Sequence, residues 1–118
     1  MDLPDGVKLA YDEIKFKPDY NIHIRPILSD RCFLCHGTDV KSRKAELDLS
    51  NRTQATTALP LNPSKKAIVP GNPSTSELVT RILSNDESWK MPPVESHRIV
   101  SDHEKALLIK WIENGAEY

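Results

Sequence analysis

Apolar residues recur at helical spacing towards the end of the sequence. The stripe runs from Ala106 to Ile112, follows the segment Ser101-Asp102-His103-Glu104, and stops at Asn114-Gly115. A serine followed three positions later by glutamate forms a capping box at a helix start, and glycine readily takes the left-handed conformation that ends a helix. The pattern therefore predicts an amphipathic helix between Ser101 and Asn114.

A second capping-box pattern, Ser74-Thr75-Ser76-Glu77, precedes a shorter apolar stripe. The positions that share one helical face there are Leu78, Val79, Ile82 and Leu83. We expect a helix that is capped by Ser74 and ends near Ser84.

A further helix is predicted from about Ile22 to Leu34, with Asn21 as its N-cap. Pro26 lies inside this stretch and has no backbone N–H. The helix therefore either bends at Pro26 or begins near Arg25, where proline is tolerated in the first turn.

The rest of the chain is weakly periodic. Pro60 and Pro63 exclude long regular structure around them. The remaining segments are a poorly regular arm over residues 1–21, an extended piece at Leu47–Leu49, a brief helix from Ser50 to about Ala58, an apolar strap at Ala67–Pro73, and a loop over residues 85–100. We predict an all-α fold of about four helices joined by long loops, with residues 22–118 as its main domain.

The strongest chemical motif is Cys32-Phe33-Leu34-Cys35-His36, the spacing of c-type haem attachment. Two thiols at this spacing can each form a thioether with a haem vinyl group. The adjacent His36 then lies against the iron as an axial ligand. The motif predicts one haem c, bound covalently through Cys32 and Cys35.

Two other readings of the cysteines are a redox dithiol and a zinc site. A thioredoxin-like dithiol needs a βαβ pattern, which does not surround Cys32. A structural zinc site needs four ligands, and the chain has only two cysteines and no pair of histidines at finger spacing. Both readings are weaker than haem.

Composition agrees with a bulky apolar cofactor. The chain has 118 residues, 38% of them hydrophobic and 6% aromatic, with nine prolines, so its own large side chains are sparse and a haem would complete the core. Sixteen basic and seventeen acidic residues leave a charge of -1, which gives no reason to expect nucleic acid as a partner. No stretch is long and apolar enough to be a transmembrane helix.

The first residues lack the charged and then apolar pattern of a signal peptide. Haem attachment to this motif takes place outside the cytoplasm. We therefore expect the segment to derive from a longer exported chain.

The order of motifs resembles the planctomycete-type cytochrome c domain from about Ile22 to Tyr118. The matching pieces, in order, are Arg25-Pro26-Ile27-Leu28, the haem motif with Gly37, Leu47-Asp48-Leu49, Ile68-Val69-Pro70-Gly71-x-Pro73, Met91-Pro92-Pro93, and Leu107-x-x-x-Trp111-Ile112-x-x-Gly115-Ala116. Such domains are small mono-haem modules of larger exported bacterial proteins. The resemblance implies a cytochrome c-like fold around one haem, histidine and methionine axial ligands, and an extracytoplasmic, for instance periplasmic, location.

Met91 is the predicted sixth ligand, because a thioether is a soft neutral ligand that favours ferrous iron and Pro92-Pro93 would stiffen its loop. The alternative is that Met91 is a core filler. Three histidines could replace it at the iron: His23, His97 and His103.

Other side chains are candidates for contact with the cofactor. Trp89 could cover the haem edge or donate its indole N–H to a propionate, or else be a partly exposed loop aromatic. Ile68, Leu78 and Ile82 are predicted walls of the haem crevice, or else ordinary core. The candidate propionate partners are Arg43, Arg52 and Arg81.

The function predicted from these residues is electron transfer by a mono-haem domain that is not itself an enzyme, although its parent protein could be one. Its partner would be a redox protein or a neighbouring domain of the parent chain. The alternatives are a haem-based sensor or peroxidase-like site with a displaceable sixth ligand, and a haem that only stabilises the fold.

Overall fold

The computed structural model describes residues 2–32 and 48–118. Within these residues the helices are α1 (Asp5–Glu13), α2 (Arg25–Arg31), α3 (Arg52–Ala55), α4 (Glu77–Leu83) and α5 (Asp102–Glu113). A π-helical turn (Tyr20–Ile24) precedes α2, and two 3-10 turns lie at Pro73–Thr75 and Val94–Ser96.

The prediction of an all-α fold is wrong, because β1 (Ala58–Leu59) and β2 (Asn62–Lys66) pair as an antiparallel hairpin. Leu59 pairs with Asn62, so Pro60 and Leu61 form the connection. The fixed φ of Pro60 suits a turn, and Pro63 is tolerated in an edge strand that does not need its N–H. β2 is exposed along its whole length, so the sequence carries no apolar alternation to reveal it.

Helix α5 lies at the centre of the core and confirms the predicted closing helix. Ala106–Ile109, Trp111 and Ile112 are buried along it. The Ser101 hydroxyl accepts a hydrogen bond from the Glu104 N–H at 3.1 Å, and the Glu104 carboxylate accepts one from the Ser101 N–H at 2.9 Å. Gly115 follows the C-cap with a φ of +107°, which ends the helix as predicted.

Helix α2 begins at Arg25, with Pro26 in its first turn. The chain before it is a π-helical turn, so the predicted bend lies just ahead of the proline. The N-cap of this turn is Asp19, whose carboxylate accepts a hydrogen bond from the Ile22 N–H at 3.0 Å. The prediction of Asn21 as the cap is therefore wrong.

Helix α4 begins later than its capping-box pattern predicts. Ser74 lies in a 3-10 turn and donates to the side chain of Asn72 at 2.7 Å, so the prediction that it caps α4 is wrong. Ser76 is the N-cap residue, but its fully buried hydroxyl accepts from the Val69 N–H at 2.8 Å and donates to the Asn72 carbonyl at 2.9 Å. This one side chain fixes the apolar strap to the start of α4.

Replacing the fully buried Ser76 with alanine is expected to lower the free energy of unfolding by about 1–3 kcal/mol, because the half-buried Val69 N–H loses its acceptor. Urea unfolding measures the change. The matched control is Ser74→Ala, which is exposed and should shift the value by no more than about 0.5 kcal/mol. Equal effects of the two substitutions would contradict the prediction.

The N-terminal arm is more regular than predicted, since α1 packs along α5. Val7 and Ile14 from this segment are buried in the same core cluster as α5. Tyr11 donates its hydroxyl to the Glu113 carboxylate at 2.5 Å. The Lys110 ammonium donates to the carbonyls of Tyr11 and Ile14 at 3.1 and 2.7 Å. Polar bonds as well as apolar packing therefore attach the arm.

The hydrogen bond to the Glu113 carboxylate raises the pKa of Tyr11 from its ordinary value of 10.0 to about 12. A raised folded-state pKa stabilises the fold below the unfolded pKa, and this stabilisation is lost as pH rises through the folded value. We expect the free energy of unfolding to be about 1 kcal/mol lower in Tyr11→Phe than in the wild type near neutral pH. The difference should shrink between pH 10 and 12. Urea unfolding of both proteins across this range tests it, and a constant difference would contradict it.

Candidate functional site

The haem motif begins where α2 ends. Cys32 is the C-cap of α2, and its N–H donates to the Leu28 carbonyl at 2.8 Å. Its side chain is half-buried and packs against the hydrophobic core cluster. Cys35, His36 and Arg43 lie outside the described residues, so their predicted roles stay predictions.

Arg81, in the last turn of α4, anchors the loop that carries Met91. The Met91 N–H donates to the Arg81 carbonyl at 3.2 Å, and the Arg81 guanidinium donates to the Trp89 carbonyl at 3.2 Å. The guanidinium carbon also lies 3.5 Å from the centre of the Trp89 ring, a cation–π contact. Met91 is half-buried and Pro92 after it is buried. The predicted ligand therefore lies in a segment fixed by hydrogen bonds to Arg81.

Two of the predicted propionate partners already bind protein groups. Besides its contacts with Trp89, Arg81 donates to the Glu77 carboxylate at 3.0 Å. Arg52 donates to the carbonyls of Ala116 and Gly115 at 3.0 and 3.3 Å, just beyond the end of α5. Trp89 is 44% exposed and presents one ring face to Arg81. These contacts give both arginines a structural role.

The three predicted wall residues lie together in the core cluster. Ile68, Leu78 and Ile82 are all buried there. Backbone hydrogen bonds hold the strap around Ile68 between its neighbours, because its N–H donates to the Ala55 carbonyl and the Leu78 N–H donates to the Ala67 carbonyl, both at 2.9 Å. Gly71 takes a φ of +81°, which favours glycine, and donates to the Ile112 carbonyl at 2.7 Å. The strap is thus bonded to α3, α4 and α5.

The end of α2 is bonded to the segment that follows the Met91 loop. Arg31 donates through Nε to the Ile99 carbonyl at 2.7 Å, and Arg98 donates through Nε to the Asp30 carbonyl at 3.0 Å. We call this reciprocal pair the arginine clasp. Arg31 also forms an ion pair with Glu104 at 3.6 Å, which brings the first turn of α5 to the same place. The clasp places the residue before Cys32 beside the loop that carries the predicted sixth ligand.

Sequence reasoning missed the structural roles of Arg31, Arg81 and Arg98. Each of them donates to a main-chain carbonyl, which every residue has, so no pattern of residue types reveals these contacts. The available signals were the i,i+4 spacing of Glu77 and Arg81, the position of Arg31 directly before Cys32, and that of Arg98 in the charged linker after Met91.

The three histidines predicted as alternative ligands lie in different elements. His23 accepts a hydrogen bond from the Asp19 N–H through Nδ1 at 2.8 Å, and its ring stacks on Phe16 at 4.6 Å. His97 is exposed in the left-handed conformation with a φ of +58°. His103 is exposed in the first turn of α5. Of these, His97 shares the loop of Met91.

In the part of the chain that the structure describes, residues 2–32 and 48–118, no helix combines the length and the apolar character needed to cross a membrane.

Comparison with known proteins gives one family match. The model of the family described as Planctomycete cytochrome C matches residues 32–95, more than half of the chain. The matched span begins at Cys32 and includes Met91. Searches of curated proteins and of solved structures found no match. The family resemblance drawn from the order of sequence motifs is confirmed.

Proposed function

We propose that this chain, which belongs to the Planctomycete cytochrome C family, transfers single electrons through one haem c bound to Cys32 and Cys35. The observation that carries the proposal is the haem motif itself, which stands at the first residue of the family match. Membership of a cytochrome c family indicates a haem-binding role. The identity of the haem ligands and the electron-transfer activity are proposals.

The described residues have suitable chemistry for such a cofactor. Cys32 offers a thiol at a fixed helix end beside the apolar core, and Met91 offers a neutral thioether on an anchored loop. A haem c bound by them would supply a reversible one-electron couple. In this proposal Cys32 and Cys35 would attach the haem, and His36 and Met91 would ligate its iron.

The neighbouring side chains have supporting roles in the proposal. Ile68, Leu78 and Ile82 exclude water from the cofactor and so favour the less charged, reduced state. Arg81 binds the Trp89 carbonyl and the Met91 N–H, and these two bonds set the position of the Met91 sulfur. Trp89, stacked on Arg81, shields this attachment from solvent on one face.

If the chain supplied both of the ligands, the iron would have no position left for a substrate, so the domain is proposed as an electron carrier and not as an enzyme. Its partner is then a second redox centre, either in another protein or in a neighbouring domain of a longer parent chain. Cytochrome c domains typically work outside the cytoplasm, and we propose a periplasmic or exported location in a bacterium.

The test is a pyridine haemochrome spectrum together with the mass of the intact chain, after expression with a haem-attachment system. We expect a c-type spectrum and the added mass of one haem. The matched control, a double variant Cys32→Ala and Cys35→Ala, should carry no added mass. A wild-type chain that stays free of covalent haem, or binds zinc instead, would overturn the proposal.

Carbon monoxide distinguishes electron transfer from a sensor or peroxidase-like site. A reduced protein whose iron keeps Met91 should bind the gas slowly and incompletely at neutral pH, whereas a displaceable ligand allows rapid stoichiometric binding. The latter result would favour sensing or peroxidase-like chemistry over electron transfer.

A further inference from the structure

The arginine clasp joins two segments that the proposed function places on opposite sides of one cofactor. Arg31 and Asp30 are the last residues of α2, directly before Cys32. Arg98 and Ile99 follow the loop of Met91 and lead into α5. The two guanidinium-to-carbonyl bonds run in opposite directions, so each segment both donates and accepts. Such a pair fixes relative position better than a single bond.

The clasp is continuous with the Met91 loop through hydrogen bonds. The Arg98 N–H donates to the Ser96 hydroxyl at 3.2 Å, and that hydroxyl donates to the Pro93 carbonyl at 2.6 Å. The 3-10 turn at Val94–Ser96 adds a bond from the Ser96 N–H to the Pro93 carbonyl at 3.0 Å. A displacement of Arg98 is thereby passed to Pro93, two residues after Met91.

The first turn of α5 also contacts the clasp, through Glu104. One oxygen of the Glu104 carboxylate accepts the N-cap bond of α5 from Ser101, and the other lies 3.6 Å from the Arg31 guanidinium. Both side chains of this ion pair are mostly shielded from solvent, which reduces its screening. The end of α2, the loop and the start of α5 therefore meet at one point.

We propose that Arg31 and Arg98 are positioning residues that keep the Met91 loop closed over the cofactor and thereby resist exchange of the sixth ligand. The inference rests on the proposed function. With Arg81 fixing the loop upstream and the clasp fixing it downstream, the segment from Met91 to His97 has little freedom to swing away. Loss of the clasp lengthens the free segment and raises the population of open states.

Imidazole binding to the oxidised, haem-loaded chain tests the proposal, because imidazole binds only when the sixth ligand has left. Arg98→Ala is expected to raise imidazole affinity about tenfold, the factor equivalent to 1.4 kcal/mol, and to weaken the sulfur-to-iron charge-transfer band. Arg31→Ala should act in the same direction. The double variant should show less than the product of the two factors, because both residues form one unit.

Two controls separate positioning from general stability. Arg25→Ala removes an exposed arginine at the other end of the same helix and should leave imidazole affinity unchanged. Arg98→Lys keeps a donor and should recover part of the wild-type resistance. If the Arg31 and Arg98 variants melt at lower temperature but bind imidazole as wild type does, the proposal is overturned.

The same measurements distinguish failure of the proposed function from failure of the clasp inference alone. A wild-type protein without the charge-transfer band, whose imidazole affinity does not change on Met91→Ala, would overturn the Met91 assignment and the clasp inference together. A wild-type protein that shows the band, with unchanged imidazole affinity in both arginine variants, would overturn the clasp inference alone.

Discussion

Met91→Ala is expected to abolish the sulfur-to-iron charge-transfer band at the red end of the oxidised spectrum. It should also allow rapid, stoichiometric binding of carbon monoxide to the reduced protein, because under the proposed ligation the variant leaves the iron without its thioether. Since a thioether favours ferrous iron, the reduction potential should fall by on the order of 0.1 V, a small part of the ~0.8 V range that axial ligands span. Absorption spectroscopy and potentiometric titration measure these changes.

The control for Met91→Ala is Lys90→Ala, which alters the same loop and should keep the band. A band that is absent from wild type, or that survives Met91→Ala, would contradict the assignment of Met91. In that case His97→Ala is the next variant, because His97 shares the loop with Met91 and is exposed. Loss of low-spin ligation in His97→Ala would then identify histidine as the ligand.

Trp111→Ala is expected to lower the free energy of unfolding by about 3–5 kcal/mol, the usual cost of truncating a large buried aromatic. Trp111 is 2% exposed, packs against Tyr20 and Tyr118 at ring distances of 5.8 and 5.4 Å, and donates its indole N–H to the Glu117 carbonyl at 2.9 Å. A domain of ordinary stability has only about 5–15 kcal/mol in total. Thermal melting followed by circular dichroism should show a decrease of roughly 10–20 °C.

Trp89→Ala provides the matched control for this substitution. Trp89 is 44% exposed, and its main described contact is the Arg81 guanidinium. Its truncation should cost only about 0.5–1 kcal/mol, the usual strength of an exposed cation–π contact. Similar melting temperatures for the two tryptophan variants would contradict the central role given to Trp111.

The sequence predicts those elements whose signals lie within one short segment. Ser101, Glu104 and Gly115 define α5 because the capping box and the left-handed stop depend on residues a few positions apart. The haem motif is also local, and the family match that begins at Cys32 agrees with it. Pro26 predicts the irregular start of α2 because the missing N–H acts on its own helix.

Elements that depend on tertiary contacts are not predictable in this way. Ser76 has the composition of a second capping box around it, but its hydroxyl bonds Val69 instead because the strap lies against it. β2 has no buried face, so its pairing with β1 leaves no apolar pattern. The arginine clasp ends on carbonyl oxygens, which no residue type identifies. In each case a contact in three dimensions decides, and only the partners of the clasp are remote in sequence, at 68 positions.

The bonds between α1 and α5 have a consequence for the order of folding. Tyr11 and Glu113 are 102 positions apart, and Lys110 is 99 and 96 positions from its two acceptors. During synthesis from the N-terminus, α1 therefore leaves the ribosome long before the helix on which it packs. An isolated helix of nine residues is unstable in water, so we expect α1 to form only when α5 is complete. We therefore expect the docking of α1 onto α5 to be a late step of folding.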